Sequence, residues 1–546
     1  MRKRNLAKVI PVIQIPLHSR FETAFHSVLT YGNPVQDVRV TAEFINNAGT
    51  FQVDAFWDGE RCWRVRFSPP HTGQWSWRTH CSMTGDIGLD GRRGQFECIE
   101  APSTKEWVTN GPLEVSADGR HLEYANHTPF FWLADTAWNG PLKAGQADWE
   151  TYLADRKLKG FSVIQFVATH WLGDDADAEG RTAYSNPERI EVDPAFFQRL
   201  DERINRINDY GIVAAPVLAW AATWNKDGIS LNPGASLSEH QLIVLVRYLV
   251  SRYGAHHVVW ILAGDGSYLG AEAERWRRVG RATLVGSPRL ATIHPAGRIW
   301  VDREFEGESW YSINGYQSGQ WKGPESSRWI NERLLEDSAA LAASSRPMPT
   351  LDLEPCYEDH IPLDMPGPAR IDALAVRRAC YWSVLAAPVA GVSYGAHGVW
   401  SWEEAPAVPL NHPASGIARP WREALEFPGS NSIAHLGAFF KSIEWWRLSP
   451  CEEMLEVQPG IESPIRFVAA ACSPERDLAV VYAPFGGSVC LRSGFFAKSI
   501  EVKCIDPATG LELWTRPPRD THMVLDCGDE GDRLLLIRTR EESKVL

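Results

Sequence analysis

Three kinds of hydrophobic pattern follow one another along the chain. Over residues 21–100, short runs at 37–44, 51–57, 62–67 and 75–79 alternate apolar and polar positions. Alternation with a period of two predicts strands with one buried and one solvated face. Asp58 and Gly59 supply a tight hairpin turn between two of them, and Pro69-Pro-His-Thr-Gly73 a longer one. The segment reads as a β-sandwich of immunoglobulin-like type, expected over residues 1–105.

From about residue 112 the apolar runs lose their alternation, at 130–134, 161–167, 212–218 and 258–262. Such runs predict strands buried on both faces. Helical stretches at 146–159, 194–210 and 238–253 separate them, closed by Gly160, Gly211 and Gly254. A helix over 271–284, strands over 290–294 and 309–313, a helix over 328–343, a strand over 349–353, a helix over 371–385 and a strand over 391–394 complete the series. Eight strands alternating with helices predict an α/β fold, a (β/α)8 TIM barrel, expected over 106–448. A doubly wound sheet would need a glycine-rich phosphate loop after its first strand, and Asp135-Thr-Ala-Trp138 is not one. A helical region over 421–446 follows, with Leu436, Phe439, Phe440 and Ile443 on one face. Short strands then return from residue 452, predicting a second β-sandwich over 449–546.

In a barrel of this kind chemistry sits at the C-terminal ends of the strands. That rule collects Asp135 and Trp138 after the first strand, Gln165 and His170 after the second, and Trp220 and Trp224 after the third. Asp265 follows the fourth, His294 ends the fifth, Tyr316 and Gln317 follow the sixth, Glu354 ends the seventh, and His397 and Trp400 follow the eighth. A carboxylate at the end of an apolar strand costs several kcal/mol of desolvation unless it is paired or exposed, so packing gives no reason for Asp265. The alternative is that it caps the helix starting near Ala271.

Asp265 and Glu354 face each other across the expected mouth. Cleaving an acetal needs a proton donor for the leaving oxygen and a second carboxylate for the other face of the sugar. The assignment is Asp265 as acid/base and Glu354 as nucleophile of a retaining glycoside hydrolase. Carboxyl groups about 5–5.5 Å apart give retention, and about 6.5–9.5 Å inversion. Glu358 and Asp359 are the competing acids, and Glu354 could instead pair with an arginine. The ten remaining mouth residues other than Trp224 are read as substrate-binding. Asp135 either caps the next loop or binds sugar hydroxyls. His170, His294 and His397 either hold a metal or donate to hydroxyls; the second is expected, so neither metal nor cofactor is. The acidic runs 302–309 and 172–193 are candidate rim segments.

Composition narrows the partners. A net charge of -13 and a pI of about 5.7 argue against nucleic acid or an anionic membrane surface. The 24 tryptophans suit stacking on sugar faces. The ten cysteines include no CxxC pair and read as small buried hydrophobes in a reducing compartment. The basic start, Met1-Arg-Lys-Arg, leads into a stretch broken by Pro11 and Pro16, so no signal peptide is read and a cytoplasmic location is expected. No apolar run reaches membrane-spanning length. The expected partner is an oligosaccharide or polysaccharide substrate; a homo-oligomer is left open. A non-catalytic carbohydrate-binding or structural protein is the alternative function.

Several motifs stand in order: Trp132-Leu-Ala-Asp135-Thr-Ala-Trp138, Lys159-Gly-Phe-Ser-Val-Ile-Gln165, Val259-Trp-Ile-Leu-Ala-Gly-Asp265, Tyr316-Gln-Ser-Gly319 and Leu353-Glu-Pro-Cys-Tyr-Glu358. Together they resemble the apiosidase-like glycoside hydrolases. The N-terminal segment is similar to the small β-domain that often precedes that barrel. The C-terminal segment resembles the one that follows it, sometimes labelled collagen-binding. The resemblance implies an acid/base at Asp265 and a nucleophile at Glu354. Ala263 stands where the family commonly has the first glycine of Gly-Gly-Asp, a departure that leaves the carboxylate in place. Furanosides are the implied substrate range.

Overall fold

The computed structural model describes residues 13–174, 176–223, 229–365, 367–516, 523–528 and 531–540. The basic N-terminal stretch up to residue 12 and Trp224 lie outside the described residues. Eight parallel strands form the central sheet: β1 (Trp132–Thr136), β2 (Val163–Val167), β3 (Val213–Trp220), β4 (Trp260–Gly266), β5 (Ala291–Pro295), β6 (Asn314–Tyr316), β7 (Thr350–Asp352) and β8 (Gly391–Gly395). They pair in the order 5-4-3-2-1-8-7-6. The gap between β5 and β6 is bridged by Ser312 N–H donating to Ala291 O (2.9 Å) and Thr292 Oγ1 to Ile313 O (2.8 Å). The result is a nearly closed barrel.

Side chains alternate across each strand. Trp132, Ala134, Val163, Val167, Val213, Ile261 and Leu351 fill the inside, while Leu133, Ile164, Phe166 and Leu262 pack outward against the helices. Those helices are α1 (Gln146–Leu158), α2 (Pro194–Asp209), α3 (Glu239–Tyr253), α4 (Ala271–Thr283), α5 (Leu335–Ala342) and α6 (Ala373–Leu385). Asp193, Ser238 and Asp372 cap α2, α3 and α6 by accepting backbone N–H groups, which satisfies donors the helix cannot. Before α5 the chain makes a π-helical turn, Trp329–Leu334, inside the region expected to be one helix.

β6 lies beyond the expected 309–313, and the reason is packing. Trp310 and Tyr311 lie against Phe305 (ring centroids 5.6 and 5.2 Å), outside the ring of strands, and a Cβ on Gly280 would overlap the Trp310 ring. The acidic run 302–309 is not a rim segment. It forms a short turn, Asp302–Phe305, on the flank of α4, where Arg281 binds Glu308 and Arg277 approaches Glu304 (3.7 Å). The insertion 172–193 is also mostly a flank. Its hairpin, Tyr184–Ser185 with Glu191–Val192, sits by α3, where Ile190 N–H donates to Gln241 (2.9 Å).

Antiparallel sheets flank the barrel. At the N-terminal side a five-stranded sheet faces a three-stranded one across Phe21, Phe44, Phe67 and Phe96; its edge strand, Gln14–Pro16, pairs in parallel. A small sheet (Leu113–Val115, Leu122–Tyr124, Pro129–Phe130) plugs the barrel floor with Leu122, Tyr124 and Phe130. At the C-terminal side a six-stranded sheet is joined by the pair Ser488–Leu491 and Met523–Asp526.

Both flanks are tied to the barrel by buried arginines. Arg66 and Arg252 donate to Asp201 of α2 (both 2.7 Å), and Arg252 also reaches Asp58 (2.8 Å); both guanidiniums lie over Phe56. On the other side, Arg377 of α6 grips Asp532 with two bonds of 2.7 Å, and Tyr381 stacks on Tyr482 (4.5 Å). Among the described residues, no helix is long and apolar enough to cross a membrane.

Candidate active site

β4 runs on through Asp265, so the aspartate belongs to the end of the strand and not to a helix cap; α4 begins six residues later, after Gly270. Pairing with β5 slips between Ile261 and Gly264 and again between Gly264 and Gly266. Irregularities of this kind re-aim a side chain next to a site. Asp265 takes a left-handed backbone, φ 54°, which few non-glycine residues adopt. Its carboxyl thereby reaches the cavity. The glycine before it is also required: a Cβ on Gly264 would overlap the Trp220 ring.

Glu354 stands two residues past β7 and is clamped by Asp352. The Asp352 carboxylate accepts the N–H groups of Glu354 and Ser318 (3.2 Å each) and the hydroxyls of Ser318 (2.6 Å) and Ser383 (2.7 Å). Burial pushes Asp352 up to about 6 against these bonds. Gln320 closes the arrangement. Its amide N–H donates to Glu354 Oε1 (3.0 Å) and its carbonyl accepts the Tyr357 N–H (2.7 Å).

Both carboxylates open into one cavity of about 520 Å³. Trp138, Trp171, Trp220 and Trp400 form an edge-to-face chain along one side, with centroids 5.1 to 6.2 Å apart. Trp321 lies on the side of Gly297, its ring under the Arg298 guanidinium (4.3 Å) and so close to Gly319 that a Cβ there would overlap it. Between the acids stands His294, fully buried, with Nδ1 3.9 Å from Asp265 Oδ1 and Nε2 3.5 Å from Glu354 Oε2. Burial lowers this imidazole to about 4, so it is neutral, and neither ring nitrogen has a hydrogen-bond partner. The indole N–H groups of Trp220 and Trp400 are likewise buried and unpartnered. Unpaired buried donors cost roughly 1–3 kcal/mol each, so a polyhydroxylated ligand would satisfy what the protein leaves open.

Burial raises the pKa of both acids. For Asp265 the second cause is the charge on Glu354; no donor among the described residues reaches its carboxyl. For Glu354 the hydrogen bond from Gln320 works in the opposite direction and favours the ionised form. A proton shared by this pair therefore belongs on Asp265.

Asp265, Glu354, Trp138, Trp220, Gln317 and Trp400 line the cavity, and His294 touches both acids. Gln165 faces inward but sits under the cavity, donating to Thr136 (3.1 Å) and the Leu353 carbonyl (2.9 Å) and accepting from Ser393 (3.2 Å). Four expected substrate-binding residues are elsewhere. Asp135 points outward, where Arg156 (2.7 Å) and the Tyr152 hydroxyl (2.5 Å) hold it between strand and helix. His170 packs on Tyr184 (4.7 Å) and accepts the Ala183 N–H (2.6 Å). Tyr316 packs outward on Trp300 and Trp329. His397 is bound to the Asp359 carbonyl and Ser415 (3.2 Å each) and supports Trp400 by stacking.

The competing acids do not line the cavity either. Glu358 accepts from Tyr394 (2.7 Å) and the Gly429 N–H (2.9 Å), and Asp359 faces Arg419 (3.9 Å). Among the described residues no group of three His, Cys, Asp or Glu side chains could hold a metal ion. The sequence reading missed Trp171, Gln320, Trp321, Tyr357, His360 and His412, all of which line the cavity. Gln320 and Trp321 directly follow the Tyr316-Gln-Ser-Gly319 motif, the one local signal that pointed to them.

Residues 116–447 match a family model described as the apiosidase-like catalytic domain, and residues 14–82 match a domain of unknown function, DUF5060. Among solved structures, a glycoside hydrolase family 5 protein from Bacteroides vulgatus is 21% identical with a TM-score of 0.68, over 80% of this chain and 95% of its own. A candidate glycoside hydrolase from the same organism is 19% identical with a TM-score of 0.71, over 97% of this chain and 100% of its own. At these identities the likeness is one of fold. No match is found among curated proteins.

Proposed function

We propose, from the premise that the chain belongs to the apiosidase-like catalytic domain family and is a glycoside hydrolase, that it cleaves a furanosyl or related sugar from a glycan with retention of configuration. Asp265 is the acid/base and Glu354 the nucleophile. The observation that carries this reading is the single cavity in which two carboxylates flank one neutral, unpartnered imidazole.

The step follows from the electrostatics. Asp265, without hydrogen bonds to favour its anion, holds the proton and delivers it to the leaving oxygen. Glu354, whose anion accepts the Gln320 amide N–H, attacks the anomeric carbon, and the C–O bond to the aglycone breaks as the new one forms. Asp265, now a carboxylate, takes a proton from water, which hydrolyses the glycosyl-enzyme. The tryptophans exclude solvent from one side and offer faces to the sugar ring. His294, Trp220 and Trp400 supply donors to ring hydroxyls.

A panel of nitrophenyl furanosides and pyranosides, assayed on wild type and Glu354→Gln, tests the class. Turnover of one furanoside that the variant loses by 10³-fold or more supports the reading (order of magnitude for removing an activated nucleophile). The anomer first formed, followed by proton NMR, decides retention; a product of inverted configuration would sink the assignment of Glu354 as nucleophile. Sugar binding without turnover on any glycan would favour a binding protein.

A further inference from the structure

Three of the four tryptophans along one side of the cavity, Trp138, Trp171 and Trp400, meet at a single buried residue, Asn139. It directly follows Trp138 in the chain. Its side-chain oxygen accepts the Trp171 indole N–H. Its backbone N–H donates to the Trp400 carbonyl (3.0 Å), and its amide nitrogen donates to the carbonyls of Ser401 (3.3 Å) and Gly173 (3.5 Å). Trp138 follows β1, Trp171 follows β2 and Trp400 follows β8, three strands that are adjacent in the barrel. One residue thus ties three neighbouring loops of the mouth. The fourth ring, Trp220, is set separately by its close approach to Gly264.

The side chain suits this place by its chemistry. An asparagine offers an acceptor oxygen and two amide N–H donors in one plane. Here the oxygen meets an indole that can only donate, and the N–H groups meet carbonyls that can only accept. An aspartate would set a carboxylate against two carbonyl oxygens, and a leucine would leave the indole N–H without a partner. Trp171 has little other freedom. A Cβ on Gly173 would overlap its ring, and its loop closes on itself through the Trp171 N–H to the Asp174 carbonyl and the reverse bond (3.0 Å each). Asn411, in the segment after β8, donates to the Leu172 carbonyl (2.9 Å) and holds the same loop from outside.

We infer that Asn139 is a positioning residue of this site: acting through Trp171 and Trp400, it holds the wall on which the sugar ring rests. It thereby sets how tightly the sugar is bound and not how fast its bond breaks. The inference rests on the assignment of the cavity to glycoside cleavage by Asp265 and Glu354. The hydrogen bonds of Asn139 go to the three loops, and among the described residues none joins it to either acid. Its loss therefore leaves the two carboxylates in place and loosens the rings beside them. An interaction that serves the bound sugar and its transition state alike appears in KM and leaves kcat unmoved.

The test is a kinetic cycle on the full chain, with the nitrophenyl glycoside that the wild type turns over best. Its members are the wild type, Asn139→Ala, Trp171→Phe and the double variant. Asn139→Ala is expected to raise KM about 10-fold, the scale of one buried hydrogen bond, with kcat held within about 3-fold. Trp171→Phe removes the indole N–H and should also raise KM. The double variant should be no worse than the worse single one, because the two residues act through one bond; independent effects would multiply. An unmoved KM in Asn139→Ala, a fall in kcat at unchanged KM, or effects that multiply would overturn the inference. Where Asn139→Ala does not fold, Asn139→Ser takes its place with the same readouts, since one hydroxyl can meet the indole or a carbonyl but not all three partners. Wild-type turnover with an unmoved KM in the variant overturns this inference alone. A wild type silent on every glycoside overturns the assignment of the cavity, and this inference with it.

Discussion

The indole of Trp220 lies against the backbone of Gly264 so closely that a Cβ on Gly264 would overlap its ring. Trp220 is 2% exposed and lines the cavity, so it has nowhere to retreat without moving Trp138 or Trp171. Gly264→Ala should therefore displace the ring or the Asp265 backbone. The expected outcome is a kcat/KM at least 10-fold lower, with far-UV circular dichroism unchanged. An alanine variant of full activity would show that the glycine serves only packing.

Glu354 should be a source of instability as well as activity. Its pKa is raised in the fold, so the folded state holds the proton more tightly than the unfolded chain, where glutamate titrates near 4.3. That contribution is present in acid and is lost as pH rises through the folded value. At pH 7 to 8, Glu354→Gln should be more stable than wild type by on the order of 1–3 kcal/mol, while losing turnover. At pH 4 the difference should vanish. Denaturant melts at the two pH values measure this.

The same shifts predict a bell-shaped pH profile for kcat/KM. The acid limb reports protonation of Glu354 and the alkaline limb loss of the Asp265 proton. As the two acids titrate as a pair, Asp265→Asn should move the acid limb as well as remove the alkaline one.

Removing Asp135 should cost stability and leave substrate recognition alone. Arg156 is fully buried, and without its partner the guanidinium keeps only Asp155 (2.6 Å). Breaking one side of a buried pair typically costs about 3–5 kcal/mol. Asp135→Ala should show that loss in urea unfolding with KM unchanged in whatever folds.

Acid should loosen the N-terminal flank. Burial would push Asp201 up, but Arg252 and Arg66 override it and hold the carboxyl well below the usual range. Its contribution is present above pH 4 and falls away as pH drops toward the folded value. Hydrogen exchange below pH 4 should rise first at the strand Cys62–Phe67 and along α2, and Arg66→Ala should show the same pattern already at pH 7.

The barrel was legible in the sequence because most of its strands are largely apolar runs without alternation and glycines end three of its helices. The direction of single side chains was not. Where both faces of a strand are buried, hydrophobicity no longer marks inside from outside, so Asp135 and Gln165 looked equivalent although one points to α1 and the other to the axis. Tyr316 and Gln317 are neighbours of opposite direction for the same reason. Asp352 was passed over as part of an apolar run, since nothing local reveals that its carboxylate clamps Glu354. Asp265 and Glu354 could be named because a charge ending a buried strand has no packing explanation.

The grip of Arg377 on Asp532 gives the C-terminal sheets a standing in the molecule that their distance from the cavity hides. Arg377 sits on α6, the helix that follows the Glu354 loop and leads into the strand before Trp400. Cutting the chain near residue 449 would take Asp532 from that cation, leaving it Ser432 (3.2 Å), and bare the face of Tyr381. The last hundred residues are thus a fixed part of the barrel's outer wall.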